Sequence, residues 1–444
     1  MKKRTASVLK WIGISVIALG VLYTILLVAS NRSLRLAYAA LESDGRPLKA
    51  AQIIPADIPD TDNAALIYEA IVLQLKAEPA GEENLFSELS TLARKLLKAT
   101  PEAREKTKFK RLSQTPVALE ALAALQKATA KTGCRYDLDY SKGGGRLLPH
   151  LADLLNLSRI LCALALLQAE DGDYAASWQT VLSSLRLANA TKNEPIFNSY
   201  LVRIAQFGIA RETLHALAAI APPSIRQYEE LDRVLMAFES ITPLITLMDG
   251  ERLLIGEWGF NLPRSELQTV IHTAYNTPNV IILGVLFSPF FQRDHATYLA
   301  IMRANARNAT KPYSSSDADL EKDQIRNLPS YCILTRMIVP DLSMAKPLTL
   351  SMIAQARVIR AGLAALKYRQ DKGTYPEGLL DLDMDDLLDP FTNKALIYQV
   401  TPAGFTVYSI GENLIDDKGM VQTERHSGDV VWRYLEENKA EPEH

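Results

Sequence analysis

Three groups of residues in this sequence have side chains or backbone that could do chemistry: a triple glycine, three cysteines with six histidines, and many scattered carboxylates. Gly143 to Gly145 could cradle a phosphate, but no Lys-Ser/Thr pair follows it, so nucleotide binding is not predicted. Cys134, Cys162 and Cys332 are too far apart in sequence for a zinc site or a disulfide framework, and the histidines form no metal pair. One disulfide could form in an oxidising compartment.

The carboxylates of the central part show no catalytic spacing. The sequence contains no Gly-x-Ser-x-Gly elbow, no His-Glu-x-x-His motif and no glycine-rich dinucleotide loop. Glu251-Arg252 and Glu257-Trp258 are typical of a solvated or salt-bridged helix surface. The prediction is therefore a non-enzymatic protein, with a hydrolase in the helical region as an alternative.

Length and charge limit the remaining classes of function. The chain has 444 residues, which predicts two or three domains of about 150 residues each. Apolar residues make up 48%, enough for folded cores. The formal net charge is -2 and no long basic run follows the first ten residues, so no nucleic-acid partner is predicted.

The N-terminal residues predict a membrane anchor. Residues 11–30 are uncharged and mostly apolar, and about 20 helical residues cross a hydrocarbon core of roughly 30 Å. The basic tail at 1–10 has four Lys or Arg residues and only two follow the span, so the positive-inside rule predicts a cytoplasmic N-terminus. The alternative is a signal peptide cleaved near Ser30, although the apolar run exceeds the ~7–15 residues of a signal core.

Two further segments bear on how the anchor continues. Residues 33–43 predict a helical continuation of the anchor into the body. The apolar run at 279–291 is too short to cross a bilayer and contains Pro289, so it is predicted to be buried core. A membrane-resting or partner-binding segment is the alternative for this run.

Helical periodicity dominates residues 33–340, which predict one helical domain. Asp62 is the predicted N-cap of its first helix, because a carboxylate can accept from the free N–H groups of a first turn. Residues 147–220 predict three helices, the first two separated at Gly172-Asp173. These two resemble a tetratricopeptide hairpin, but a solenoid needs about three such units, so a compact bundle is favoured. The predicted fold class is therefore mainly α.

Residues 345–434 predict a small α+β module with a short antiparallel sheet, followed by a charged tail at 435–444. Pro347 to Asp371 predicts one long helix, which Lys372-Gly373 ends. Three β-rich segments follow and predict strands: 395–400, 405–409 and 429–432.

Short motifs follow the long helix in a characteristic order: Tyr375-Pro376, Asp389-Pro390-Phe391, Tyr398, Tyr408-Ser409-Ile410-Gly411, Asp416-Asp417 and Asp429. In this order and spacing, the module resembles the soluble domain of the major pseudopilin of type II secretion. It is also similar to C-terminal modules of uncharacterised membrane-anchored helical proteins of planctomycete-like bacteria. The resemblance covers roughly a fifth of the chain. The N-terminus lacks the Gly-Phe-Thr-Leu-x-Glu type of leader, so the chain is not predicted to be a processed pilin subunit.

The resemblance implies a calcium site, because in the pseudopilin family the loop after Tyr-Ser-x-Gly binds Ca²⁺. This ion takes about six to eight oxygen ligands, several of them carboxylates. The matching side chains are Asn413, Asp416, Asp417 and Asp429. Carbonyls of Ile410 or Ile415 could add ligands. The sequence departs from the family at Glu412-Asn413-Leu414, where Pro/Ala-Asp-Gly is usual, so a solvated acidic loop is the alternative.

Together these features predict a single-pass inner-membrane protein with the bulk of the chain in the periplasm. It would act as a scaffold or as a partner of an envelope or secretion system. The module at 345–434 would be its head, which calcium stabilises. Two alternatives stay open beside it: a helical ligand-binding or sensory domain, and the hydrolase already mentioned.

Overall fold

A computed structural model describes residues 2–98, 101–145, 148–263, 266–267, 269, 288–314, 323–384, 387–401, 404–421 and 428–435. Helix accounts for 66% of the residues, which confirms the mainly helical fold class. Two small antiparallel sheets accompany the helices in the described part.

A 42-residue helix, α1 (Lys2–Ser43), begins the fold. Its most apolar stretch has a mean hydropathy of 2.5 and is not buried against the rest of the protein, so α1 is apolar and long enough to be a membrane span or signal anchor. Large apolar side chains stand exposed along it, Trp11 at 66% and Ile17 at 68%. Beyond Ser30 the helix continues without a break and packs against the body through Leu41, which confirms the predicted continuation.

The first group of body helices packs around one apolar cluster. Its elements are α2 (Ala64–Ala77), the hairpin β1 (Pro79–Ala80) and β2 (Glu83–Asn84), α3 (Leu85–Leu96), α4 (Ala103–Ser113) and α5 (Pro116–Thr129). Short 3₁₀ turns flank the group at Ala50–Gln52 and Tyr140–Gly145.

The N-cap of α2 is Asn63 rather than the predicted Asp62. The Asn63 side chain accepts hydrogen bonds from the backbone N–H groups of Ala65 at 3.1 Å and Arg135 at 2.9 Å. Its amide also donates to the Arg135 carbonyl at 2.8 Å. Asn63 therefore caps the helix and fastens the 133–136 segment in one step, which an acceptor-only carboxylate could not do.

The next group is confirmed as three long helices and extends to a fourth. They are α6 (Pro149–Glu170), α7 (Tyr174–Ala188), α8 (Phe197–Ile220) and α9 (Ile225–Met236). Asp173 caps α7 by accepting from Ala176, so the predicted break at Gly172-Asp173 is a helix hairpin. Its likeness to a tetratricopeptide unit stays a prediction. Helix α6 passes the same length and composition test as α1, but 61% of its apolar stretch is buried, as in a core helix.

The third group surrounds the end of α1. It contains α10 (Thr242–Gly250), a π-helix (Glu251–Glu257), α11 (Trp258–Phe260), α12 (Ser288–Ala309) and α13 (Ile333–Ile338). Most of the apolar run at 279–291 lies outside the described residues, so its prediction as buried core is not tested. The triple glycine has a packing role here, because Gly143 has φ +50° and a Cβ on it would collide with the Trp258 ring.

The C-terminal module is formed as predicted, apart from small shifts at the ends of its elements. Helix α14 (Ala345–Lys372) ends at Gly373, which adopts φ 81°. The strands are β3 (Ile397–Thr401), β4 (Gly404–Ser409) and β5 (Val430–Leu435). They pair antiparallel in the order β3-β4-β5, with Tyr398 opposite Val407 and Val407 opposite Trp432. The predicted tail beyond Leu435 lies outside the described residues.

One apolar core joins the module to the α6–α9 group, with Trp178 and Phe207 in the same cluster as Trp432. Helix α14 lies so close to β5 that a Cβ on Gly362 would lie 2.9 Å from the Trp432 ring. A partly buried ion pair joins α14 to α9, with Arg360 2.7 Å from Asp232. The division at 340/345 stays a prediction about folding units, and the shared core shows that the two parts pack together.

Candidate functional site

The structure brings the four predicted metal-site residues onto one loop between β4 and β5, here called the acidic loop (residues 410–421 with Asp429). Asp429 is 5% exposed, and its two carboxylate oxygens accept from the backbone N–H groups of Asp417 at 3.3 Å and Gly419 at 2.7 Å. Burial raises the pKa of Asp429 above its ordinary value. This carboxylate therefore holds the loop in place.

The other two aspartates of the acidic loop pair with near neighbours. Asp416 accepts from the Lys418 ammonium at 2.9 Å and from the Tyr408 hydroxyl at 3.1 Å. The hydrogen bond from Lys418 lowers the pKa of Asp416, and burial with the Asp416 contact raises the pKa of Tyr408 to about 12. The Asn413 amide donates to Asp417 at 2.9 Å.

Leu414 marks the departure from the pseudopilin pattern. It adopts φ 59°, in the left-handed region where the related pattern has a glycine. A non-glycine residue there costs on the order of 1–3 kcal/mol, which the surrounding loop has to offset.

Among the described residues, no group of three His, Cys, Asp or Glu side chains is placed to hold a metal ion. The calcium site stays a prediction, and an ion there would have to compete with the Lys418 ammonium for Asp416.

The Asp389-Pro390-Phe391 motif fastens the acidic loop to the module. Asp389 is 2% exposed, and its oxygens accept from the backbone N–H groups of Phe391 at 2.8 Å and Ile410 at 3.0 Å. The Ile410 amide is thereby fixed at the point where β4 ends. This motif has a structural role that the sequence order alone did not assign.

A second polar site lies where α1 enters the body, and we name it the anchor root: Tyr38, Arg46, Asp249, Arg252, Glu257 and His295. The Tyr38 hydroxyl donates to Glu257 at 2.8 Å, and the His295 ring nitrogen lies 3.1 Å from the same carboxylate oxygen. Burial, with the Glu257 charge, raises the pKa of Tyr38. Three separate elements, α1, the π-helix and α12, thus meet at one carboxylate.

The anchor root continues through two arginines that share one carboxylate. Arg46 contacts Asp249 in a bidentate pair, with Nη2 at 2.9 Å and Nε at 3.2 Å. Arg252, 1% exposed, lies 3.3 Å from the same Asp249 and donates to the Pro47 carbonyl. Within the described part, Nη1 of Arg252 and Oε1 of Glu257 are buried without a hydrogen-bond partner. Buried polar atoms of this kind are uncommon, and π-helices often occur at functional sites.

The sequence-based interpretation of Glu251-Arg252 and Glu257-Trp258 as helix surface is wrong in part. Glu251, Arg252 and Glu257 are 7%, 1% and 8% exposed, although salt bridges do form as expected. A 3.6-residue period places positions 251 and 257 on different faces, so no α-helical pattern groups them. Glu251 and Glu257 are buried together by a π-helix, which a search for α-helical or β-strand periodicity does not detect.

A cleft of about 570 Å³ lies between α2 and α6 and is here called the α2–α6 cleft. Its lining combines buried rings and apolar side chains with charged groups at the edge. His150 lines it, stacked on Tyr136 with ring centroids 4.1 Å apart. The His150 ring nitrogen lies 3.1 Å from both carboxylate oxygens of Glu194, and Glu194 accepts from Ser199 at 2.5 Å. The sequence analysis did not predict this cleft, because its walls come from segments that only the fold brings together.

The three cysteines are free, with Cys162 and Cys332 buried, so the disulfide that the sequence left open is not formed. Burial raises the pKa of the Cys134 thiol to about 12, which makes it a poor nucleophile at neutral pH.

No protein family, curated protein or solved structure matches this chain.

Proposed function

We propose that the protein is a single-pass, membrane-anchored protein of the cell envelope with its N-terminus in the cytoplasm and its body outside. The observation that carries the proposal is α1, which exposes its apolar stretch completely and then enters the body as the same unbroken helix. Leu41 is 1% exposed, and Tyr38 is hydrogen-bonded to Glu257. A signal peptide that is removed near Ser30 would leave only the packed end of this helix.

Membrane extraction and protease access test this proposal. We expect the full chain, expressed in a Gram-negative host, to resist alkaline carbonate extraction and to lose its body when protease is added to spheroplasts. Its measured mass should include the first 30 residues. A matched variant, Val16→Arg with Leu19→Arg, should weaken insertion, because each arginine near the centre of a span costs about 2.5–3.5 kcal/mol. A shortened chain in the carbonate-soluble fraction would establish a cleaved signal instead.

Outside the cytoplasm, the body would act as a scaffold or as a partner of other envelope or secretion proteins. The resemblance of the head to a pseudopilin supports this role by analogy only. The edge strand β3 adds a physical reason, because its outer side pairs with no further strand in the described sheet and its residues Gln399 to Thr401 are exposed. Exposed strand edges are common docking points for other chains.

A photo-reactive residue placed at Val400 tests the partner role. Val400 is 44% exposed on β3, and Leu119 on α5, 47% exposed, is the matched control position. A partner of the head should cross-link from position 400 in intact envelopes and not from position 119. Equal products from both positions, or none from position 400 in repeated trials, would contradict a head-directed partner.

The head would gain stability from Ca²⁺ held by the acidic loop. Asn413, Asp416, Asp417 and Asp429 would supply the oxygens, with the loop rearranging around Asp416. A ligand that binds only the folded state raises the melting temperature, so calcium should raise it and EDTA should reverse the rise. The rise should disappear in Asp416→Ala with Asp417→Ala. No shift in the wild type would remove the calcium site and leave the anchor proposal intact.

A second candidate function, a ligand-binding helical domain, is favoured by the α2–α6 cleft. Its volume of about 570 Å³ lies within the roughly 300–1,000 Å³ typical of small-molecule sites. Its lining joins apolar and aromatic side chains to a few polar groups, as such sites commonly do. Among the described residues, the lining holds no Ser, Thr or Cys that His150 could activate, so binding is favoured over hydrolysis by a side-chain nucleophile.

A further inference from the structure

The floor of the α2–α6 cleft is apolar and aromatic. Tyr68 and Tyr136 are 3% and 4% exposed, and Leu154 and Leu157 are each 1% exposed, yet all four line the cleft. Such a floor can bury the apolar body of a ligand and gains on the order of 25 cal/mol for each Å² removed from water. Tyrosine rings also attract cations through the negative potential of their faces.

The edge of the cleft carries more negative than positive charge. Among the described residues, the lining contains four carboxylates and two lysines: Glu69, Asp137, Asp139 and Asp153, with Lys76 and Lys142. Both lysines are already paired, Lys76 with Asp153 at 3.0 Å and Lys142 with Asp139 at 3.2 Å. The ring nitrogen of His150, which also lines the cleft, lies 3.1 Å from its own carboxylate, Glu194.

Two carboxylates are left over once these pairs are made. Glu69 on α2 and Asp137 on the 134–139 segment line the cleft, and both are exposed. Within the described part of the chain, neither forms an ion pair. The wall therefore has negative charge available to a ligand, and an anion would meet two lysines whose partners are already in place.

From this arrangement we propose that the α2–α6 cleft binds a small organic cation with an apolar body, such as an aryl-alkyl ammonium compound. The apolar part packs on the tyrosine and leucine floor, and the cationic head lies near Glu69 and Asp137. This inference deepens the ligand-binding candidate above and rests on it. It is independent of membrane anchoring and of the calcium site.

Saturation-transfer NMR on the full chain in lipid nanodiscs tests the proposal with three soluble probes. Benzyltrimethylammonium is the cation, benzyl alcohol the neutral analogue and benzenesulfonate the anion. Leu73 lines the cleft at 68% exposure, so Leu73→Trp should fill the opening without disturbing the core. The charge variant is Glu69→Gln with Asp137→Asn, and its matched control is Glu229→Gln with Asp60→Asn, two exposed carboxylates outside the lining.

We expect the cation to bind saturably, to weaken at least tenfold in the charge variant and to be lost in Leu73→Trp. The control variant should bind as the wild type does, and benzenesulfonate should not compete. Binding of benzyl alcohol or benzenesulfonate as tightly as the cation, abolished by Leu73→Trp, would overturn the cationic class but leave the cleft as a binding site. If Leu73→Trp changes the binding of none of the three probes, both this inference and the ligand-binding candidate fail.

Discussion

In the anchor root, Glu257 is 8% exposed and takes its hydrogen bond from Tyr38, a residue 219 positions away. In the acidic loop, the exposed Asp416 takes its hydrogen bond from Lys418, two positions away. Both regions are rich in carboxylates, but one uses them to join distant elements and the other to shape a local turn. Buried polar contacts between distant elements fix a relative position, whereas local exposed ones fix only a loop. We therefore expect changes in the anchor root to affect the whole body more strongly.

The largest effect should follow Asp249→Ala. This change leaves Arg46 and the 1% exposed Arg252 without their shared carboxylate. Removing one partner of a buried ion pair costs about 3–5 kcal/mol, which urea denaturation of the full chain in mild detergent would measure. Asp371→Ala is the matched control, because it removes only an i,i+4 pair with Lys367 on the surface. A loss for Asp249→Ala no larger than that of the control would break the comparison.

Asp429→Ala should have the next largest effect, since Asp429 is the one acidic-loop carboxylate that resembles the anchor root in its burial. Two backbone N–H groups, of Asp417 and Gly419, lose their charged acceptor. Hydrogen bonds to charged groups contribute about 1.5–3 kcal/mol, so a loss of that size is expected in EDTA. Asp416→Ala, measured alongside, should cost far less. Equal losses would mean that burial does not separate the two regions.

The same difference between local and distant contacts explains which features the sequence predicted. The unbroken α1, the long helix ending at Gly373 and the strands of the head depend on periodicity and turn residues that are close in sequence. The N-cap of α2 was displaced by one residue because Asn63 also binds Arg135, which the local pattern could not show.

The anchor root and the α2–α6 cleft were missed for a physical reason. Both are assembled from segments that only tertiary packing brings together, and the π-helix at Glu251–Glu257 follows neither common period. Asn413, Asp416 and Asp417 are close in sequence, and the pairing of β4 with β5 brings Asp429 beside them. Their role as ligands still depends on a resemblance rather than on the observed geometry.

A smaller effect concerns the pH dependence of stability, which should have opposite signs for Asp294 and Asp416. Asp294, near the anchor root on α12, is 2% exposed and accepts from Leu334 at 2.8 Å and Thr335 at 3.2 Å. Burial raises its pKa above the ordinary 3.8, so the folded state binds the proton more tightly than the unfolded state. Its contribution to stability is therefore present below pH 3.8 and is lost as the pH rises through the folded pKa.

Asp416 should show the opposite dependence, because Lys418 lowers its pKa below 3.8. Its contribution is present above pH 3.8 and is lost as the pH falls through the folded pKa. In EDTA, the stability advantage of wild type over Asp416→Asn should shrink on acidification, whereas the advantage over Asp294→Asn should grow. Slopes of the same sign for the two variants would show that burial does not control the two carboxylates differently.

The anchor helix is held to the body through buried contacts between distant residues, above all the hydrogen bond from Tyr38 to Glu257. A double-mutant cycle of Tyr38→Phe and Glu257→Gln in the full chain measures the coupling free energy of the 2.8 Å contact directly. We predict a coupling of at least about 1 kcal/mol, because a hydrogen bond to a buried carboxylate contributes about 1.5–3 kcal/mol. A coupling within about 0.3 kcal/mol of zero would contradict the claim and leave α1 attached by apolar packing alone.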